Sequence, residues 1–344
     1  MKIKRLYINN FKSLVNFELI EPNPFSVFVG PNAAGKSNIF EAMDFLKHLV
    51  LYDYSAPDLF GGPNKFFNQK IGLDNLDGTL NLKIETDDIE IKIEKELEIN
   101  LENEKLKVGG INMGLVSHTV EDSCKKYLKK VGKGNRNFSS IFTRLFIGKQ
   151  NLVKIKTNGN ERLNIDGSNL ANVLWRILQN EIVQEEITDW LQLLIPGTEK
   201  VEVVKSELSG DYFLRVFEKH LDKPIGKDLF SDGTYNILAI LTAVYQSEEP
   251  QFLCIEEPEN GLNPYVIKAL VEFMRNMCKE KGHCIWLNTH SSVLVREVKN
   301  EEIILVDKKE GITQIKQIGP NFKKYDLRMD DAWLTNSLGG GLPW

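Results

Sequence analysis

Apolar and polar positions along this chain follow two different periods, and the changes of period mark its elements. Ile3 to Ile8 and Phe25 to Val29 are short apolar runs rich in β-branched and aromatic residues, bounded by Asn, Pro and Gly, which predicts two strands. The second runs straight into a glycine-rich loop. Beyond the loop, Ile39, Ala42, Met43, Phe45, Leu46 and Leu49 recur at helical spacing, with Glu41, Asp44, Lys47 and His48 assigned to the opposite, polar face. The order is strand, loop, helix. Leu51 to Gln69 is broken by Pro57, Gly61, Gly62 and Pro63 and reads as a surface excursion. From Gly78 to Leu101 apolar residues alternate with charged ones (Leu80, Leu82, Ile84, then Ile89, Ile91, Ile93), the period of a half-buried antiparallel meander.

Leu170 to Ile195 returns to helical spacing and predicts one or two helices ended by Pro196-Gly197. A strand pair is expected at Val201 to Val204 and Tyr212 to Phe217. The last third alternates: helix Thr234 to Tyr245, strand Phe252 to Ile255, helix Tyr265 to Lys279, strand Cys284 to Leu287, a short helix from Ser292, strand Ile303 to Val306. Such alternation predicts an α/β fold with a parallel sheet.

Composition narrows the picture. With 344 residues, 42% hydrophobic and 26% charged, the chain can bury a substantial core and predicts two compact lobes. A net charge of -5 excludes a surface that is basic everywhere, although a local basic patch is compatible with it. One stretch between Glu121 and Gln150 reads least like packed core: Lys125, Lys126, Lys129, Lys130, Lys133 and Arg136 follow one another with no acid among them. It is either a solvated face or a docking patch for nucleic-acid phosphates or an acidic partner. Cys124, Cys254, Cys278 and Cys284 lack CxxC spacing, so neither zinc nor a disulfide framework is expected, and a cytoplasmic setting suits them. No stretch is expected to enter a membrane: the longest uncharged one, Gly233 to Ser247, is too short for a bilayer core of about 30 Å.

The chemistry starts at Gly30-Pro31-Asn32-Ala33-Ala34-Gly35-Lys36-Ser37, which meets G-x-x-x-x-G-K-[ST] at every fixed position, after a predicted strand and before a predicted helix. Glycines let such a loop curl so that successive N–H groups face phosphate oxygens at the positive end of the helix. Lys36 is expected to reach the β- and γ-phosphates and Ser37 to ligate Mg2+. A second acidic element follows: the strand Phe252 to Ile255 runs into Glu256-Glu257, two carboxylates at the carboxyl end, where open parallel sheets bind ligands. Glu256 is expected to hold Mg2+ through its water shell, and Glu257 to orient and deprotonate the attacking water. The long separation of Lys36 from Glu256 means that a large segment is inserted between the two halves of the site.

In this order of motifs the sequence resembles ATP-binding-cassette (ABC) type ATPases of the RecF and SMC group, and in particular the stand-alone AAA family ATPases related to the OLD (overcoming lysogenisation defect) proteins of prokaryotes. The resemblance runs from Tyr7-Ile8-Asn9-Asn10-Phe11-Lys12-Ser13-Leu14 through Gly35-Lys36-Ser37-Asn38 and Asp166-Gly167-Ser168-Asn169-Leu170-Ala171 to Glu256-Glu257-Pro258-Glu259-Asn260-Gly261-Leu262 and the ending Leu338 to Trp344. It implies a P-loop NTPase head with a mixed sheet, an antiparallel β subdomain and an inserted helical lobe. By resemblance, Ser231-Asp232-Gly233-Thr234 is the signature loop, with Ser231 and Gly233 contacting the γ-phosphate held by another subunit's P-loop. His290 is the switch histidine, Asn38 belongs to the nucleotide-binding set, and Asn260 to Asn263 form the loop that reaches across the dimer. Glu256 stands where the wider family has Asp, and the signature departs from Ser-Gly-Gly-Gln. No glutamine-loop residue is assigned, Gln69 being merely the first glutamine.

The expected organisation is a single head over 1–344: a lobe at 1–110 carrying the P-loop and antiparallel strands, an inserted helical or lid region at 111–200, and a lobe at 201–344 carrying signature, acidic pair and switch histidine. The resemblance implies ATP and Mg2+ as cofactors, an ATP-dependent head-to-tail homodimer, and control of a separate effector in antiphage defence. OLD proteins carry a carboxyl-terminal Toprim nuclease domain, for which no length is expected after Val306, so a nuclease would be a partner. Two alternatives stand beside this reading: a RecF-like DNA-binding repair ATPase and a nonhydrolytic nucleotide-gated scaffold.

Overall fold

A computed structural model describes residues 1–52, 56–68, 77–86, 93–100, 105–109, 138–149, 152, 155, 159–322 and 327–339. The basic stretch Lys125 to Arg136, Cys124, Gln69 and the final Gly340 to Trp344 lie outside the described residues. In chain order the elements that place the site are β1 (Ile3–Asn9), β2 (Phe17–Ile20), β3 (Phe25–Val29), α1 (Lys36–Tyr52), β4 (Asp77–Thr86), β5 (Ile93–Asn100), β6 (Lys105–Gly109), β7 (Phe142–Leu145), α2 (Leu170–Ile177), α3 (Glu181–Leu194), β8 (Thr198–Lys205), β9 (Tyr212–Glu218), β10 (Ile225–Gly226), α4 (Asp232–Tyr245), β11 (Phe252–Glu256), α5 (Pro264–Glu280), β12 (Cys284–Thr289), α6 (Ser292–Arg296), β13 (Ile303–Lys309), β14 (Ile312–Gln317) and α7 (Met329–Leu334).

The main sheet has the order β14-β13-β3-β12-β11-β7. All its pairs are parallel except the hairpin β13–β14. Every residue of β3, β7, β11 and β12 is buried, because both faces of a parallel sheet are covered. Alternate side chains feed two cores. On one face Phe28, Cys254, Trp286 and Ile304 pack with Ile39, Phe40 and Met43 of α1 and with Leu6, Ile8 and Leu82 of an antiparallel sheet ordered β2-β1-β4-β5-β6. On the other, Val27, Val29, Leu253, Ile255 and Leu287 pack with α2 to α5. The third sheet, β10-β9-β8, is antiparallel and adds Val201, Leu214 and Val216 to that second core.

The helices end where capping chemistry stops them. Asn180 accepts from the N–H groups of Ile182 and Val183 and separates α2 from α3, resolving the predicted one or two helices into two. Asn263 caps α5, with Pro264 at its first position, and Ser231 caps α4 by accepting from Thr234 N–H. Among the described residues no helix is long and apolar enough to cross a membrane.

Three expectations need correction. The excursion after Leu51 is not merely surface: Phe60 and Phe66 are buried and pack on Phe45 of α1, the first edge-on and the second tilted, because the broken segment folds back against that helix. The stretch ending at Gln150 contributes core, since Phe138, Ile141 and all of Phe142 to Leu145 are buried and β7 is an edge strand of the main sheet. Asp44 and His48, placed on a polar face, are buried at 7% and 9% exposure because Arg144 of β7 lies against Asp44 and the Phe60 ring packs edge-on against His48.

Candidate functional site

The carboxyl ends of β3, β11 and β12 meet at one edge of the sheet, and the chain leaves each of them into a loop with special geometry. After β3, Gly30 leaves no room for a side chain: a Cβ there would stand 2.1 Å from the carbonyl oxygen of Val306 on β13. Gly35 adopts φ +105, and its Cβ would strike the Thr313 hydroxyl at 2.0 Å, so two glycines are required by packing as well as by conformation. Ala33 also takes a positive φ of 63. The curl is braced by a buried hydroxyl relay: Thr313 Oγ1 donates to the Ala34 carbonyl at 2.9 Å and meets Ser13 Oγ at 2.6 Å, and Asn38 Nδ2 donates to Ser13 Oγ at 2.7 Å. This gives the segment after β1 and strand β14 a function that the sequence did not disclose: together they hold the loop in shape.

Lys36 opens α1, and its ammonium donates to the carbonyls of Gly30 at 2.7 Å and Pro31 at 2.9 Å. Burial lowers its pKa, opposed by the nearby carboxylates of Glu257, Glu259 and Glu256. Ser37 Oγ donates to Glu256 Oε2 at 2.6 Å, bringing together residues 219 apart in sequence. Asn288, at the end of β12, donates to the same Oε2 at 3.0 Å. The other oxygen, Oε1, receives the guanidinium of Arg144 from β7, with Nε at 2.6 Å and Nη2 at 2.5 Å. Burial works against the Arg144 charge, yet Glu256, Asp44 and Glu41 around it raise its pKa above the usual value.

Glu257 follows in a left-handed conformation, φ 48, unusual for a residue with a side chain and a form of strain that clusters at functional sites. Its N–H donates to the Asn288 carbonyl at 3.0 Å, which fixes the turn. Its carboxylate accepts from Asn260 Nδ2 at 2.9 Å and stands 3.7 Å from His290 Nδ1. Thr289, just before His290, donates to buried Glu259 at 2.5 Å. Burial pushes the Glu259 carboxyl up. A cavity of about 540 Å³ lies over these groups, lined by Asn32 to Asn38, Glu257, Asn288, His290 and Lys308.

Of the predicted residues, Asn32 to Asn38, Glu257 and His290 thus face one cavity, and Glu256 meets its floor through Ser37, whereas Gly30 and Pro31 do not line it and reach it only through their carbonyls, which hold the Lys36 ammonium. Ser231 and Gly233 do not line it. They start α4, where Ser231 is exposed and Gly233 packs so closely on the following loop that a Cβ would lie 2.5 Å from the Gly261 carbonyl. Asn236 ties the same two segments by donating to the carbonyls of Pro258 and Asn260. The Asp166 to Ala171 motif reaches α4 as well, its Gly167 carbonyl accepting from the Tyr235 hydroxyl at 2.8 Å. Arg144, Asn288, Lys308, Ser13 and Thr313 were missed, although the segment carrying Ser13 was singled out in the sequence and Asn288 lies two residues before the expected His290.

The donor set suits Mg2+. That ion takes one or two carboxylates and completes its shell with substrate phosphates and water, and here a hydroxyl and a single carboxylate oxygen adjoin at the helix start. Among the described residues no group of three or more His, Cys, Asp or Glu forms an all-protein metal cage.

Comparison with known proteins agrees with this geometry. The family described as "AAA ATPase domain" matches residues 1–173, and that described as "AAA domain, putative AbiEii toxin, Type IV TA system" matches residues 141–296. No curated protein matches the chain. Among solved structures, the Smc head bound to the C-winged helix domain of ScpA is 16% identical with a TM-score of 0.63, covering 93% of this chain and 98% of that one. The Smc head domain with an extended coiled coil bound to the C-terminal domain of ScpA, derived from Pyrococcus furiosus, is 12% identical with a TM-score of 0.55, covering 98% and 99%. These likenesses show the fold of an Smc head domain, mixed α/β with a largely parallel sheet, consistent with the expected P-loop fold of the ABC type. With half of its length matched, the chain belongs to the AAA ATPase domain family, and it is an ATPase.

Proposed function

We propose that this ATPase hydrolyses ATP at two composite sites of a head-to-tail homodimer and that closure of the dimer controls a separate effector. In this reading the γ-phosphate lies between Lys36 and His290. Ser37 and Glu256 hold Mg2+, which when bound offsets charge on the β- and γ-phosphates. Glu257 takes a proton from the water that attacks the γ-phosphorus, the bond to the β-phosphate oxygen breaks, and ADP and phosphate leave. The chain is one head, with 1–110 and 201–344 as its lobes and 111–200 inserted between them.

The observation that carries the dimer is the position of Ser231. It caps a helix at the surface, outside the cavity that its own P-loop, Glu257 and His290 line, with exposed Leu229 two residues before it. Such a helix start at the surface, where the helix dipole favours negative charge, suits the γ-phosphate of a second copy. The hydrogen bonds from Asn236 to Pro258 and Asn260, and from Asn260 to Glu257, supply a direct route by which contact at the signature reaches the hydrolytic carboxylate.

The effector and defence roles rest on the OLD-like motif order and on the family match whose description includes a toxin system. The test is complementation. Lys36→Ala and Ser231→Arg are each expected to abolish turnover. Mixed at equal concentration, they form heterodimers in which one of the two sites is intact, and activity returns. Failure of every mixture to turn over ATP, with both variants folded, refutes the shared site.

A further inference from the structure

Arg144 is among the most deeply buried charges in the described molecule, at 4% exposure, and its guanidinium faces the acidic residue that ends β11. Both Nε and Nη2 converge on one oxygen, Glu256 Oε1, while Nη1 lies 3.9 Å from Asp44 Oδ2 on α1. The other oxygen, Oε2, is left to Ser37 and Asn288. The two oxygens of Glu256 therefore have separate surroundings: one is anchored in the protein interior, the other is turned to the cavity floor. A planar guanidinium does this where an ammonium does not, because its fixed fork sets direction as well as charge.

We propose that Arg144 is the positioning residue that fits a glutamate for the Mg2+–nucleotide site: by holding Oε1 it presents Oε2 beside the Ser37 hydroxyl. The inference rests on the reading of Glu256 and Ser37 as the metal-holding pair. A glutamate has one more rotatable bond than an aspartate, so an unanchored side chain at this strand end would sample several rotamers and lose entropy on engaging the ion. The Arg144 contact removes that freedom in advance. Its link to Asp44 also fixes β7 and β11 against the helix that carries Ser37, so the hydroxyl and the carboxylate are set by one guanidinium. The positive charge offsets one of the two buried carboxylates, which makes the metal site depend on phosphate oxygens for further negative charge. Mg2+ should then bind with the nucleotide rather than ahead of it.

The test reads binding, not turnover. Fluorescent ATP is titrated onto the full chain in EDTA and then at increasing Mg2+, giving the affinity without metal and the Mg2+ concentration at half-effect. Arg144→Lys keeps the buried charge and gives up the fork. It is expected to leave affinity in EDTA within twofold of the unaltered protein and to raise the half-effect Mg2+ concentration about tenfold. Arg144→Gln should raise it further, and where Arg144→Gln does not fold, Arg144→Gln combined with Asp44→Asn removes one of the uncompensated carboxylates. Glu256→Gln is measured in parallel. If Glu256→Gln raises the Mg2+ requirement and Arg144→Lys leaves it within twofold, the role of Arg144 is overturned while the metal pair stands. If Glu256→Gln leaves the requirement unchanged, the metal pair and the role of Arg144 fall together.

Discussion

Replacing Thr313 by Val is a near-isosteric change on an edge strand, yet it should disable the nucleotide site. The Thr313 hydroxyl is buried and serves two partners: it donates to the Ala34 carbonyl of the P-loop at 2.9 Å and pairs with Ser13 Oγ at 2.6 Å. Valine fills the same space but cannot answer either group. The Ala34 carbonyl and the Ser13 proton are left without a partner, at about 1–3 kcal/mol for each buried group, so a total of about 2–4 kcal/mol is expected once the loop relaxes. If the loop must then be re-formed by the nucleotide, about 2 kcal/mol of that loss appears as a roughly thirtyfold weaker ATP affinity. The assay is urea unfolding followed by tryptophan fluorescence, read as a shift in midpoint at unchanged slope, together with an ATP titration of the folded protein. Thr313→Ser retains the hydroxyl and serves as the control. A Thr313→Val protein as stable as the Thr313→Ser protein, with ATP affinity within threefold of the original, would refute the reasoning that this strand braces the loop.

Acid should act through His283, whose buried ring accepts from Gln251 N–H and donates to the Val244 carbonyl, and whose pKa burial lowers to about 4. The unfolded chain takes up this proton near pH 6.5 and the folded one does not until about 4, so about 3 kcal/mol of stability, complete above pH 6.5, is lost as pH falls through that window. His283→Gln should flatten thermal midpoints between pH 6.5 and 4, and an unchanged slope would assign the acid sensitivity elsewhere. Glu302→Gln should cost about 3 kcal/mol or more, because it leaves the buried Arg275, now held at 2.6 and 2.9 Å by that carboxylate, uncompensated far from the nucleotide. Calorimetry should show the loss and an ATP titration should show none; equal damage to both would place this ion pair in the site.

What the sequence disclosed and what it hid divide along a physical line. The curl of Gly30 to Ser37 and the place of Glu256-Glu257 at a strand end were legible because each depends on neighbours in sequence: a fixed spacing curls the backbone, and a strand end presents adjacent side chains. The amphipathic helices were legible for the same reason, as with α5, which is announced by Asn263 and Pro264. Arg144 was not, because its partners Glu256 and Asp44 come from β11 and α1, and nothing local in Phe142-Thr143-Arg144-Leu145 signals a buried charge. Asp44 and His48 followed the helical period onto a polar face, but the tertiary neighbour decided their burial. Strand β14 was readable only in part: Glu310 and Gly311 both take positive φ between Lys309 and Ile312, the two-residue turn of a β-hairpin, and the glycine marks it, but glutamate stands where Asn or Asp is the usual signal. The bracing role of Ser13 and Thr313, 300 residues apart, was not readable from either segment alone.

The most direct measurement is the solution mass of the Glu257→Gln protein by light scattering with saturating ATP and Mg2+, beside the same protein with ADP. Glutamine keeps the side chain's shape and its reach to Asn260 but cannot take the proton from water, so the γ-phosphate should stay in place. The account predicts a stable dimer with ATP and monomers with ADP, with dimerisation abolished when Ser231→Arg is added. Monomers under both nucleotides, in a protein that binds ATP with full affinity, would contradict it.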